Sequence, residues 1–144
     1  MYETELLQKF EENHNLSTYK FFNAEWNCLT EVQVGSKIAD IVLFDNNFEK
    51  IVAIELKVSK WKNAFRQALN YQLWASKSYI ALYGKHIKNV IKYKEIFDKF
   101  GIGLISIEKD INIIIEAKTS DYLIDSYVEI AKHEIKNRLK RVEK

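Results

Sequence analysis

The chain has 144 residues, 47% of them hydrophobic and 29% charged, with 22 Lys and Arg against 20 Asp and Glu. That composition belongs to a globular domain that buries its own core, and it excludes disordered and fibrous classes. The one cysteine, Cys28, excludes an internal disulfide framework and four-cysteine zinc or iron–sulfur sites, and is expected to be a small structural residue.

Helical periodicity in MYETELLQKF predicts a first helix near residues 2 to 13, without the basic region and apolar run of a leader. No stretch approaches the ~18 apolar residues of a membrane span, so a cytoplasmic protein away from membranes is expected. Strands are predicted at CLTEVQV (28 to 34), KIADIVLF (37 to 44) and KIVAIELKV (50 to 58). Ser59 reads as the N-cap of a helix from about 60 to 75. KSYIALY (77 to 83) is a strand, HIKNVIKYKEIFDKF (86 to 100) a helix, and GIGLISI with INIIIEA a hairpin around EKD. A last helix over about 121 to 142 carries Val128, Ala131, Ile135, Leu139 and Val142 in helical spacing.

The order αβββαβαββα calls for an α/β fold, a mixed β-sheet flanked by helices. Prolines are absent and nothing resembles a linker or repeat, so residues 1 to 144 read as one domain, a core of about 1 to 85 with an extension of about 86 to 144.

Charge is distributed unevenly along the chain. Residues 1 to 55 hold ten acids against four lysines, a net of −6, whereas 56 to 144 hold eighteen Lys or Arg against ten acids, a net of +8. From Leu56 to Lys94 there are nine basic residues and no acid. Such a stretch suits a polyanion such as a phosphate backbone, and equally suits a solvated, solubilising surface.

The strand IVAIELKV is apolar enough to be buried, yet Glu55 and Lys57 stand near its end. A symmetric hairpin through DNNF pairs Phe44 with Glu49 and sets Asp40 opposite Ala53. Strand alternation then puts Asp40, Ala53, Glu55 and Lys57 on one face, and Ala39, Ile41, Leu43, Val52, Ile54 and Leu56 on the other. Buried carboxylates must be paired or hold a cation. Two converging acids suit a hard divalent ion such as Mg²⁺, and a nearby lysine can hold an attacking water. A plain ion-pair cluster at a strand end uses the same residues.

Two helices add to this pocket. Glu3 lies inside the apolar stripe of the first helix set by Leu6, Leu7 and Phe10, where it can reach the pocket or merely favour the helix N-terminus. In KWKNAFRQALNYQLWA, Gln67 and Tyr71 stand one turn apart. Gln67 can hydrogen-bond a water or a phosphate, and Tyr71 can buttress it. Lys37, Lys60, Lys62 and Arg66 are the residues expected to meet nucleic-acid phosphates. An ordinary amphipathic helix with polar margins accounts for the same helix pattern. Trp61 and Trp74 are expected in core packing rather than stacked on bases, and His14, His86 and His133, which lack ligand spacing, at the surface.

A helix Glu, a strand Asp, a strand E-x-K and a helical Q-x-x-x-Y, in this order, resemble the PD-(D/E)XK nuclease superfamily, including its RecB-type members. The matching residues are Asp40 in KIADIV, Glu55 and Lys57 in AIELKV, and Gln67 and Tyr71 in RQALNY. The resemblance spans roughly residues 26 to 83, with Glu3 a looser match and Ala39 where the family name has Pro. It implies a restriction-endonuclease-like core, αβββαβ. It also implies Mg²⁺, replaceable by Mn²⁺, on Asp40, Glu55 and the Leu56 carbonyl. Lys57 would activate the water, Gln67 would position it or the phosphate, and Glu3 would support the site.

The resemblance therefore implies a nuclease that hydrolyses phosphodiester bonds in DNA, an endonuclease or junction-resolving enzyme by its size. The rival is a nucleic-acid-binding or interaction module that keeps the fold without cutting. The presence of Asp40, Glu55 and Lys57 together favours catalysis. The last helix offers a homodimer seam, a partner surface or a core-packed face.

Overall fold

A six-stranded sheet carries the chain, its strands in sequential order: β1 (Asn27–Val34), β2 (Lys37–Phe44), β3 (Ile51–Lys57), β4 (Lys77–Tyr83), β5 (Gly103–Ile107) and β6 (Ile111–Ile115). Strands β1 to β3 are antiparallel, β3 to β5 parallel, and β6 returns antiparallel. The helices are α1 (Glu3–Asn13), α2 (Trp61–Tyr71), α3 (Ile87–Val90), α4 (Lys94–Phe100) and α5 (Asp125–Glu143). The computed structural model describes residues 3–13 and 26–143, with side chains at 3–10 and 26–141. The expected mixed α/β architecture is the one found.

Helices cover both faces of the sheet, which is why β3 can be apolar at successive positions. On one face Leu6 and Phe10 of α1 are fully buried against Ile41, Leu43, Ile54 and Leu56. Each such side chain contributes about 1.5–3 kcal/mol by leaving water. On the other face α2 buries Ala64, Phe65 and Ala68 against Ile80 and Leu82, joined by Phe97 of α4. Beside it, Ala131 and Ile135 of α5 pack with Val32, Val42 and Trp74.

The β1–β2 turn is two residues long. Gly35 takes a positive φ of 63° there, the backbone a tight hairpin requires.

Several expectations are corrected. The β2–β3 connection is longer than DNNF. The Asp45 carboxylate accepts hydrogen bonds from the Glu49 and Lys50 N–H groups at 2.8 and 3.1 Å, and Phe48 stacks on Phe44 with ring centroids 5.6 Å apart. Phe44 therefore pairs with Ile51, not Glu49. A slip of two residues preserves side-chain parity, so the charged residues keep their face. Ala39 is the exception, grouped with Val32, Val34 and Val42 rather than with Ile41 and Leu43.

Ser59 is not the N-cap of α2. Lys60 holds that position in a left-handed conformation (φ 60°, ψ 49°) with no side-chain cap. The helix also stops at Tyr71, because the next residues turn back to enter β4, with the Ala75 N–H donating to the Tyr71 carbonyl at 2.7 Å.

The helix expected over 86 to 100 is broken into α3 and α4 by 3-10 turns at Gly84–His86 and Ile91–Tyr93. Hydrophobic spacing over so few residues does not distinguish 3.0 from 3.6 per turn. The last helix begins at Asp125, not 121: the Ile124 N–H donates to the Leu73 carbonyl at 2.9 Å, and the Ser120 hydroxyl accepts from the Tyr122 N–H at 3.1 Å.

The apolar stripe of α5 packs on the chain's own sheet through Val128, Ala131, Ile135 and Leu139, while Tyr127 and Ile130 stay exposed beside it. The side chain of Val142 and all of His14 lie outside the described residues. Among the described residues no helix is long and apolar enough to cross a membrane.

Candidate active site

Strand β3 ends at the C-terminal edge of the parallel part of the sheet, and its last three residues are Glu55, Leu56 and Lys57. The ladder with β2 stops at Ile41 and Ile54. The next pair in that register would be Asp40 and Glu55, and here the strands exchange side-chain bonds instead. Asp40 Oδ2 accepts the Leu56 N–H at 2.8 Å, taking the place of a backbone acceptor. A strand residue's N–H and C=O point to the same side, so the Leu56 carbonyl also faces the Asp40 side of β3.

Glu55 is only 5% exposed. Its Oε1 accepts the Tyr71 hydroxyl from α2 at 2.6 Å, and that hydroxyl also lies 3.1 Å from the Ile38 carbonyl. Asp40 and Glu55 are also close enough for each to shift the other's pKa. Burial pushes the Glu55 carboxyl up to about 8; Tyr71's hydrogen bond pulls the other way and the Asp40 charge adds to the rise. Burial also raises Asp40, against the lowering hydrogen bonds from Leu56 and Glu55. Burial, and then the acid it touches, raise the Tyr71 phenol, which stays a donor. A raised Glu55 carboxyl beside a raised Asp40 favours keeping a proton at the pair over two full charges.

Lys57 stands at the mouth, its side chain 28% exposed, with Nζ 3.5 Å from Glu3 Oε1. Glu3 thus faces the pocket, although half of its side chain remains in solvent.

Neither a family model nor a curated protein matches the chain. Among solved structures, the SPO1766 protein of unknown function from Silicibacter pomeroyi superimposes with a TM-score of 0.69 at 14% identity, covering 98% of this chain and 88% of that one. This likeness shows the fold alone. SfsA of Pyrococcus furiosus, solved in complex with Ca²⁺, matches at a TM-score of 0.41 and 13% identity, over 80% of this chain and 64% of that one. That similarity is too distant to carry an argument.

Of the residues singled out from the sequence, Asp40, Glu55, Leu56, Lys57, Glu3 and Tyr71 come together. Gln67 does not join them: it is half-buried one turn before Tyr71, and among the described residues no hydrogen bond ties it to the acids or to Lys57. Tyr71, expected to buttress Gln67, instead holds Glu55 directly. Lys37, Lys60, Lys62 and Arg66 are all exposed. His86, expected at the surface, is half-buried with its ring edge-on to Tyr83, and His133 is exposed. Trp74 is buried, and Trp61 packs on Phe65, Tyr93 and Phe97. Sequence reasoning missed the Ile38 carbonyl and the Leu56 N–H, because backbone groups leave no mark on residue identity.

Oxygens from Asp40 and Glu55, with the Leu56 carbonyl on the same side of β3, are of the kind a hard divalent cation takes, although among the described residues no group of three or more His, Cys, Asp or Glu that could hold a metal gathers. Mg²⁺ is commonly held by one or two carboxylates, with waters completing its shell. A cation at the pair would favour ionisation of both acids.

Tyr71→Phe is expected to destabilise the protein by about 1–3 kcal/mol in urea unfolding, since it strips the buried Glu55 carboxyl of its donor. An unchanged unfolding midpoint would mean that water replaces the phenol.

Proposed function

We propose that the chain is a divalent-metal-dependent nuclease that hydrolyses phosphodiester bonds in DNA, cutting as an endonuclease. One observation carries this: the buried Glu55 and the half-buried Asp40 converge at the split between β2 and β3, with a lysine at the mouth of the same site. Asp40, Glu55 and the Leu56 carbonyl would hold Mg²⁺ or Mn²⁺. When bound, the ion would stabilise charge on the phosphate and lower the pKa of water.

The chain's own residues do the rest. The Leu56 N–H and the Tyr71 hydroxyl lock the two carboxylates in place, so the acids do not need to reorganise when substrate arrives. Lys57, held near the pocket by Glu3, donates to a phosphate oxygen or orients the attacking water. Lys37, Lys60, Lys62 and Arg66 reach into solvent from elements adjoining the site, where they fix a backbone without reading sequence.

The experiment is a cleavage panel in Mg²⁺ or Mn²⁺ on supercoiled plasmid, linear duplex, single strand, RNA and a four-way junction. Cutting that a chelator abolishes supports the proposal. Tight binding with no cutting on any substrate would instead support a binding module that keeps the fold.

Changing Lys60, Lys62 and Arg66 together to Ala is expected to weaken duplex binding and to lower the slope of log K against log salt by roughly 2 to 3. An unchanged slope in anisotropy titrations would place the nucleic-acid surface elsewhere.

A further inference from the structure

Two cavities of about 390 and 570 Å³ open on the same sheet edge as the site, and both are lined by Tyr83 and Glu108. The register explains their position. Lys57 pairs with Leu82, so Tyr83 follows one residue beyond on the neighbouring strand, and Tyr83 in turn pairs with Ile107 at the end of β5. The two strand spacings from β3 to β5 amount to ~10 Å. Helix α1 spans the same interval: Glu3 reaches Lys57, and Lys9 Nζ reaches the Glu108 carbonyl at 3.4 Å. The cavities therefore lie beside the site, at the ends of β4 and β5, and form a groove along the edge of the sheet without sharing a lining residue with it.

The lining is suited to a nucleic-acid strand. Lys85 and Lys88 stand on one side, and Lys9 and Lys109 on the other, against the acids Glu108 and Asp110. Lys85, Lys88 and Lys109 are exposed, and none of the three forms an ion pair among the described residues. Tyr83 sits between the cavities, half-buried, with the His86 ring edge-on at 6.3 Å.

Glu108 lies across Gly84, where an added Cβ would come within 2.6 Å of its side chain. Its exposed carboxylate stands at the junction of the cavities, where it can accept from the amino edge of a base. Each cavity has the volume of a small-ligand pocket and admits one or two nucleotides, not a duplex. An aromatic ring between flanking lysines is how single strands are bound: bases stack on the ring and phosphates meet the cations.

We infer that this groove binds the single strand of nucleic acid leading away from the scissile phosphate, with Tyr83 as its stacking platform and Lys85, Lys88 and Lys109 on its phosphates. The assignment rests on the nuclease proposal for the location of the scissile bond.

The test is anisotropy with a labelled single-stranded 12-mer and its duplex, titrated from low to high salt, using the Glu55→Gln protein as the uncut background. Adding Lys85→Ala, Lys88→Ala and Lys109→Ala should lower the single-strand salt slope by roughly 2, at about 0.7 per phosphate contact. Tyr83→Leu should weaken single-strand binding about 5- to 100-fold, the range of one lost base stack, and duplex binding much less. Circular dichroism melts verify that these variants are folded. Single-strand affinity and slope unchanged in both variants would overturn the groove, as would equal losses for duplex and single strand. Cleavage by the wild type in Mg²⁺ is read separately. A protein that binds through the groove but never cuts overturns the nuclease and leaves the groove as a binding site, whereas one that cuts with the groove variants binding normally does the reverse.

Discussion

Glu55→Gln is expected to reduce DNA cleavage in Mg²⁺ by at least about 10²- to 10³-fold, the usual cost of removing one preorganised electrostatic group from a site. The substitution keeps the shape of the side chain, and Gln still accepts the Tyr71 hydroxyl, so the packing around β3 is preserved. What it removes is the second negative charge. Asp40 alone, with one oxygen already engaged by the Leu56 N–H, is left to hold the cation. DNA binding should persist, because the exposed lysines and arginine are untouched. Lys57→Ala should be as damaging for cleavage, through loss of the cation at the mouth. Initial rates on plasmid and labelled oligonucleotides, beside filter or anisotropy binding, separate the two effects. Wild-type rates in the Gln variant would remove Asp40 and Glu55 from the metal site.

The same substitution should raise stability in the metal-free protein above neutral pH. In the unfolded chain Glu55 ionises near its ordinary value of 4.5, whereas in the fold its carboxyl is pushed up to about 8 by burial and by Asp40. Across that window the native state holds a proton that the unfolded state has released, so stability falls as pH rises, by at most about 1.4 kcal/mol per pH unit. Asp40, raised as well by burial, adds in the same direction. The groups in direct contact with the pair are Tyr71, which stays protonated, and the Leu56 N–H, while Lys57 and Glu3 act on Asp40 from the mouth with opposite signs.

Urea unfolding from pH 5 to 9 should therefore show the wild type losing stability with pH relative to Glu55→Gln. Mg²⁺ should restore much of that loss near pH 8 in the wild type, by about 2.7 kcal/mol at a hundredfold excess over its Kd, and much less in the variant. Parallel pH profiles for the two proteins would show that Glu55 is not the buried acid described here. A pH-dependent wild type on which Mg²⁺ has no effect would leave the pair as a purely structural one.

Much of this molecule is legible in its sequence, and for local reasons. The six strands come through as apolar runs bounded by polar or glycine-containing turns, with β2 and β4 placed at 37–44 and 77–83 as expected. The face shared by Asp40, Glu55 and Lys57 follows from strand alternation, and it survived a hairpin register two residues off because the period of a strand is two. The hairpin of β5 and β6, and the inward stripe of α5 at Ala131 and Ile135, follow equally from periodicity.

Other features required the assembled fold. The local chain gives no sign that residues 84–86 and 91–93 tighten into 3-10 turns, or that Lys60 adopts a left-handed backbone in place of a Ser59 cap. Tyr71 and Gln67 sit one turn apart on the same helix, and only the packing of α2 across β3 decides that the phenol, not the amide, meets Glu55. The raised Glu55 carboxyl likewise depends on how deeply that acid is withdrawn from water and on how near Asp40 of the neighbouring strand comes. The groove past Tyr83 is assembled from α1, β4, β5 and the segment after β4, whose lysines lie far apart in sequence. Periodicity fixes which way a side chain points within its own element. Which partners it meets is set by the long-range pairing of strands and the burial of helices on them, and that is why the residues of the site were readable while their bonds were not.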